Sequence, residues 1–267
     1  MRFSNLHTHS VFSDGKNTPE EIVRSAIEKD FVSIGFSDHS HTPCDESYCM
    51  LTPAYPDYFK TVLDLKKKYE GQIDVLLGME LDYYSELVRE PLDYVIASVH
   101  YIVGPDGYCH PIDHSLSQQE DCIAMLCGGE RVEMAKRYYD LMVKNVERVK
   151  PDVVGHFDVI TKFGLFDGDL PEYRRVALEA LDEVMKVCPR IEMNTGAISR
   201  KKRDLPYPAD FLLRRVLENG GEIILSADSH AKETLDCFFP ESVEILRQTG
   251  FKTLSYLDKN GFHKINI

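Results

Sequence analysis

Histidine, aspartate and glutamate recur in this chain at the ends of short apolar runs, where imidazole and carboxylate groups can share metal ions. Met1 to Leu6 runs into His7-Thr8-His9, Val32 to Phe36 into Asp38-His39, Val75 to Met79 into Glu80, and Tyr94 to Val99 into His100. Asp152 to Gly155 leads into His156, Arg190 to Met193 into Asn194, and Glu222 to Ala227 into Asp228-Ser229-His230. Each run reads as a strand. Side chains alternate along a strand, so His7 with His9, and Asp228 with His230, leave the backbone on one side and can converge. Imidazole with carboxylate favours Zn, Mn or Fe, whereas an all-oxygen set favours Mg or Ca. So many donors exceed one tetrahedral ion and imply a cluster of two or three divalent ions with a bridging carboxylate. Such clusters clamp a phosphate, generate hydroxide from bound water near neutral pH and stabilise the charge of an in-line displacement.

Segments with helical spacing lie between the runs. The clearest start signal is Thr18-Pro19-Glu20-Glu21: Thr18 can cap, Pro19 suits the first helical position, and Glu21 completes a capping box. Ile22, Val23, Ala26 and Ile27 supply its inward face. Tyr58 to Tyr69, Glu130 to Val149, Glu172 to Val187, Ala209 to Asn219 and Pro240 to Thr249 are further helices by the same signals. Strand and helix alternate throughout, which predicts a mostly parallel sheet. An open doubly wound sheet serves one crevice from a few strands, whereas here every strand contributes at its C-terminal end, as in a closed barrel. Seven such strands predict an α/β barrel one unit short of eight. No linker or change of composition marks a boundary, so residues 1–267 are expected to form a single domain. Thr253 to Leu257 and Phe262 to Ile267, around Lys259-Asn260-Gly261, read as a closing hairpin. Residues 105–129 show little periodicity, carry His110, Asp113 and His114, and are expected to form a lid or specificity loop.

With 267 residues and 43% hydrophobic composition, the chain can bury a large core. Its longest apolar stretch, Tyr94 to Val103, is too short for a membrane span. No basic region and cleavage site precede the first strand, so the expected compartment is the cytoplasm. Seven cysteines without a C-x-x-C pair are expected to be reduced thiols and not a disulfide framework. The net charge of −13 argues against a broad nucleic-acid surface, which needs Lys and Arg to neutralise phosphates. Three divalent ions would nevertheless outweigh Asp14, Glu80 and Asp228 and make the site anion-seeking inside an acidic protein.

His7-Thr8-His9-Ser10 with Ser13-Asp14-Gly15, then Ser37-Asp38-His39, Gly78-Met79-Glu80, Ser98-Val99-His100, Gly155-His156-Phe157-Asp158 and Ala227-Asp228-Ser229-His230, form an ordered set. This set resembles the PHP (polymerase and histidinol phosphatase) superfamily, and all nine of its ligand positions are filled. The resemblance implies an α/β fold, a distorted (β/α)7 TIM-like barrel with metals at the C-terminal ends of the strands. It implies that His7, His9, Glu80 and Asp228 hold one ion, that Glu80, His100 and His156 hold a second, and that Asp14, His39 and His230 hold a third. Glu80 would bridge, and Glu80 and Asp228 would be the catalytic carboxylates.

Asp38 to Pro43, His156 to Gly164 and Asn194 to Arg200 resemble the stand-alone histidinol-phosphatase branch of that superfamily. This implies a phosphomonoesterase that hydrolyses L-histidinol phosphate, in histidine biosynthesis, by attack of a metal-bridging hydroxide. Its partner would be a small phosphate monoester, with neither nucleic acid nor membrane involved. Arg200 can bind two phosphate oxygens through its planar fork, and Lys162 is a second cationic group. His41 is expected either to act in catalysis, on phosphate or the leaving alkoxide, or to support His39. The run Lys201-Lys202-Arg203 leaves Arg203 as a rival for phosphate. Glu192, Asp113 or Glu120 is expected to meet the amine of histidinol, and Phe12, Tyr101 and Tyr108 its imidazole. The alternative is another PHP-type hydrolase, acting on a nucleotide, a phosphotyrosyl peptide or a phosphodiester. An amidohydrolase-type barrel would bring a metal-bridging lysine, and no strand end carries one. A non-catalytic metal-stabilised module would have lost ligands, and none is missing.

Overall fold

The computed structural model describes residues 2–88, 91–166 and 168–267; Met1, the head of the first apolar run, lies outside them. The strands are β1 Ser4–Asn5, β2 Ser33–Phe36, β3 Asp74–Asp82, β4 Tyr94–Ser98, β5 Tyr101–Val103, β6 Cys109–Pro111, β7 Val153–Val154, β8 Arg190–Asn194, β9 Glu222–Ser226, β10 Thr253–Asp258 and β11 Gly261–Asn266. The helices are α1 Pro19–Glu28, α2 Tyr55–Lys68, α3 Leu116–Cys127, α4 Arg131–Val149, α5 Pro171–Val187, α6 Gly196–Ser199, α7 Asp210–Glu218 and α8 Phe239–Thr249. In α1 the capping box forms in full: Glu21 N–H donates to the Thr18 hydroxyl, and Thr18 N–H donates to the Glu21 carboxylate at 2.9 Å.

β1, β2, β3, β4, β7, β8 and β9 lie side by side and pair in parallel. Their apolar runs are nearly continuous because both faces are buried. Leu6, Leu76, Tyr94, Ile96, Val153 and Ile224 fill the interior of the curled sheet with Leu257, while the helices pack a larger core against its outside. The sheet closes beyond the end of β1, where Thr8 bridges Ser229 and His9 N–H donates to Ser229 O at 2.8 Å. At the opposite end β10 follows β9 in parallel, and the Ser33 hydroxyl donates to Leu257 O at 2.6 Å. The result is a distorted (β/α)7 barrel, closed directly only at the end where the strands finish. The expected terminal hairpin is β10 with β11. Among the described residues, no helix is long and apolar enough to cross a membrane.

Two expectations are corrected. Residues 105–129, expected as a lid or specificity loop with little periodicity, hold regular structure: β6 pairs with β5, and α3 follows, capped by Ser115 and stopped by Gly128 at φ 59°. Its inward face includes Gln119, whose buried amide donates to Ile112 O and Ile160 O, so the apolar period that marks a helix is interrupted by a polar residue with partners of its own. The cysteines are also not all free thiols. Cys44 and Cys109 are joined, their Cα atoms 5.3 Å apart, because β6 folds back beside the segment that follows His41. Five cysteines remain free, three of them buried.

Candidate metal centre

The parallel register brings the end of each strand to one place. His39 bridges Glu80 beyond β2, and Thr8 bridges Ser229, so neighbouring strand ends are aligned laterally. Side chains from these ends and from the loop after His9 form four overlapping groups, within each of which one ligand-capable atom per residue lies within 4.8 Å of every other. The groups are His7, His9 and Asp228; His7, Glu80 and His156; His39, Glu80 and His100; and His9, Asp14, His39 and His230. The structure therefore brings together all nine residues that the resemblance picks out. It also groups His9 with the third set and His39 with Glu80 and His100.

Glu80, 1% exposed, stands at the centre. Its Oε1 lies 3.1 Å from His156 Nε2 and 3.4 Å from His7 Nε2; its Oε2 lies 2.7 Å from His39 Nδ1 and 3.8 Å from His9 Nε2. Asp228 Oδ1 is 3.2 Å from His9 Nε2, and Asp14 Oδ2 is 3.1 Å from His230 Nε2. Asp228 has φ 46°, a left-handed conformation that Asp tolerates better than most residues and that clusters at functional sites. Its Oδ2 pairs with Arg200 Nη2 at 2.8 Å. Gly196 permits that approach, since a Cβ there would meet Asp228 Oδ2 at 2.7 Å and Arg200 Nη2 at 2.9 Å.

Charge and burial work against each other here. Burial alone would raise the Glu80 carboxyl, but His7, His39 and His100 hold it well below the usual range. Burial likewise opposes ionisation of Asp228, and Arg200 with His7 outweighs it. His9 is pushed down to about 3 by burial and by its neighbours His39 and His230, so it stays a neutral ligand at pH 7. His100 is held up at about 9, because Glu80 and Asp82 overcome the cost of burial.

The donor set fits divalent ions of the Zn, Mn or Fe type. His7 Nε2, both ring nitrogens of His9, and Glu80 Oε2 are buried without a hydrogen-bond partner, an arrangement that is costly unless a cation satisfies it. The opposite nitrogens of His7 and His100 face carboxylates. His7 Nδ1 meets Glu192 at 2.6 Å, and His100 Nδ1 lies 3.3 Å from Asp82, which also accepts the His100 N–H at 2.8 Å. His7 and His100 thus turn Nε2 towards Glu80, whereas His39 turns Nδ1 towards Glu80 and Nε2 towards Asp14.

A cavity of 360 Å³ opens beside this cluster, lined by Arg200, Lys162, Lys202, Asp113, His114, Tyr48 and Tyr207 among others. Lys162 pairs with Asp113 at 2.9 Å. Arg203 does not line it: its guanidinium donates to the Thr161 hydroxyl at 2.5 Å and covers the Tyr207 ring. His41 is not brought into the cavity either. Pairing ends at His39, so the two-residue period does not carry His41 to the same side, and its Nε2 faces Glu46 at 3.0 Å. Glu192 is fully buried behind His7, and Glu120 is exposed. Phe12 packs on Tyr58, Tyr108 is exposed beside His110, and Tyr101 lies behind Tyr48 and His114.

Sequence reasoning missed Asp82 and Tyr48, and reached Lys202 only as one member of the basic run Lys201-Lys202-Arg203. Asp82 was detectable, because it stands two residues after Glu80 and so on the same side of β3. Tyr48 had no such signal; it lies in irregular chain and reaches the site by packing its ring 4.7 Å from that of His39.

A family model for the PHP domain matches residues 5–196. Among curated proteins, the chain is 30% identical over 263 residues to a probable histidinol-phosphatase of Deinococcus radiodurans, covering 95% of each. It is 24% identical over 253 residues to the histidinol-phosphatase of Bacillus subtilis, covering 86% of this chain and 93% of that one. Among solved structures, the histidinol phosphate phosphatase of Lactococcus lactis, complexed with zinc, L-histidinol and phosphate, superposes with a TM-score of 0.73 at 21% identity, covering 98% of this chain and 99% of that one.

Proposed function

This chain belongs to the PHP family, and we propose that it is a metal-dependent phosphomonoesterase that hydrolyses L-histidinol phosphate to L-histidinol and phosphate, in histidine biosynthesis. The observation that carries the reading is the convergence of nine imidazole and carboxylate side chains, with buried nitrogens lacking partners, on a cavity that also holds Arg200 and Lys162. The names of the relatives, and the ligands of the Lactococcus protein, support the choice of substrate.

In this reading two or three divalent ions are held by His7, His9, Asp14, His39, Glu80, His100, His156, Asp228 and His230. Bound there, such ions neutralise phosphate charge and lower the pKa of a coordinated water. The protein supplies the rest. Glu192 fixes the tautomer of His7, keeping its Nε2 unprotonated at the centre, and Asp82 holds the backbone N–H of His100 with a carboxylate oxygen beside its Nδ1. Arg200, paired with Asp228, brings a fixed cation to the cavity wall for the phosphate, and Lys162, paired with Asp113, adds a point charge. Asp113 lines the cavity and meets the substrate amine through its carboxylate, a role for which Glu192, fully buried against His7, is already engaged. Tyr48 closes one side and limits access of water. The whole of residues 1–267 acts as one domain in this scheme.

The test is phosphate release from L-histidinol phosphate beside nucleotides, phosphotyrosine and p-nitrophenyl phosphate, with metal-analysed protein and with chelator. A chelator-sensitive preference for histidinol phosphate of several orders of magnitude in kcat/KM is expected. Flat activity across the panel refutes the substrate assignment, and chelator-insensitive activity refutes the metal role.

A further inference from the structure

Ser10, Ser13 and Asp38 belong to the strand-end motifs, yet none faces the cavity or the metal groups. Asp38 is fully buried, one residue before His39. A carboxylate without solvent must find donors, and among the described residues those hydrogen-bonded to it come from the loop after His9. Its Oδ1 accepts from Ser10 N–H at 2.8 Å, Ser10 Oγ at 3.1 Å, Ser13 N–H at 3.1 Å and Ser13 Oγ at 2.7 Å; its Oδ2 accepts from Ser10 Oγ at 2.9 Å.

The loop is wound around this carboxylate. Ser13 N–H and Gly15 N–H both return to Ser10 O, at 3.1 and 2.9 Å. Gly15 closes the turn so tightly that a Cβ would lie 2.2 Å from His9 O. Asp14, held between Ser13 and Gly15, is thereby presented to His230 Nε2 at 3.1 Å and His39 Nε2 at 3.7 Å. Of the other carboxylates of the cluster, Glu80 lies within β3 and Asp228 stands two residues beyond β9, and neither needs such a device. Asp14 stands nine residues beyond β1, and its loop is fastened to the segment that carries His39.

We propose that Asp38 is a positioning residue that sets the occupancy of one metal position, the group His9, Asp14, His39 and His230, by holding the Ser10–Gly15 turn. The proposal rests on the metal-centre reading of the previous subsection. Groups that orient a ligand typically change metal affinity by about 10- to 100-fold when removed, and the loss here is confined to one ion.

The experiment measures zinc bound per chain, and the dissociation constant of each step, by equilibrium dialysis against zinc buffers for the wild type, Asp38→Asn, Ser13→Ala, Asp14→Ala and the Asp14→Ala, Asp38→Asn pair. Asp38→Asn is expected to weaken one ion by about 10- to 100-fold and leave the others unchanged, with Ser13→Ala doing the same to a smaller degree. In the Asp14→Ala background, Asp38→Asn should have no further effect, whereas a general role in stability would lower all steps in either background. Equal weakening of every ion, unchanged affinities, or additive effects with Asp14→Ala overturn the proposal. If Asp38→Asn does not fold, Ser13→Ala and its combination with Asp14→Ala decide by the same criteria. A wild type that binds ions elsewhere but none at this group overturns the proposal alone, whereas a wild type that binds no zinc overturns the metal-centre reading itself.

Discussion

Glu192→Gln is the substitution that best tests how the centre is held, because it changes one atom in a fully buried carboxylate. Glu192 receives three hydrogen bonds, from His7 Nδ1 at 2.6 Å, His156 N–H at 2.7 Å and Asn194 Nδ2 at 2.9 Å. A glutamine can satisfy either side but not both. If its oxygen serves His156 and Asn194, its NH2 faces His7 Nδ1, which must become an acceptor; the proton then moves to Nε2, the nitrogen aimed at Glu80 and Asp228. If its oxygen serves His7, the NH2 opposes two donors. A charge-assisted buried hydrogen bond contributes about 1.5–3 kcal/mol, which matches the 10- to 100-fold loss of metal affinity typical of groups behind a ligand. The assay is zinc competition with a chromophoric chelator, followed by phosphate release as free zinc is varied. The dissociation constant for zinc should rise by about 10- to 100-fold, and excess zinc should restore much of kcat. Unchanged zinc affinity with a raised KM would refute the reasoning and return Glu192 to the role of reading the substrate amine.

Three further outcomes are expected. Glu80→Ala should abolish phosphatase activity and lower bound metal together, measured by turnover and elemental analysis on one preparation; retained turnover refutes the bridging role. The chelator-treated protein should lose thermal stability between pH 6.5 and 9. His100 has a folded pKa of about 9, above its unfolded value, so its contribution is complete below about pH 6.5 and is lost as pH rises through 9; His7 and His39 shift the same way, while His9, near 3, acts only below that window. A Tm that is flat or rising over this range contradicts that assignment. Finally, removing the Cys44–Cys109 bond, which spans 65 residues, should cost about 4 kcal/mol in the chain-entropy account, seen as a lower denaturant midpoint for Cys44→Ser in non-reducing buffer. Thiol titration of the unfolded, unreduced wild type should find five reactive cysteines, and a count of seven refutes the link.

The types of ligand, their order and their arrival at strand ends were legible in the sequence, because a strand is a local run with a period of two. His7 with His9, and Glu80 with Asp82, need only that period to share a side. The barrel followed from alternation of strand and helix, and the first helix from four consecutive residues. The helix at Leu116–Cys127 escaped because Gln119 interrupts its apolar face, and a buried glutamine is explained only by the carbonyls of Ile112 and Ile160 that receive it. Tertiary structure alone decided which nitrogen of His7 and of His100 faces the centre. For His7 that choice depends on a hydrogen bond to Glu192, 185 residues away, and for His100 on the Asp82 carboxylate, which holds the His100 backbone N–H and lies 3.3 Å from its Nδ1. It also decided that Asp38 serves the loop of Ser10 and Ser13, that His41 turns away to Glu46, and that Cys44 meets Cys109. Each of these is a contact between segments brought together by packing, and a local pattern of residue types carries no information about which distant segment will stand opposite.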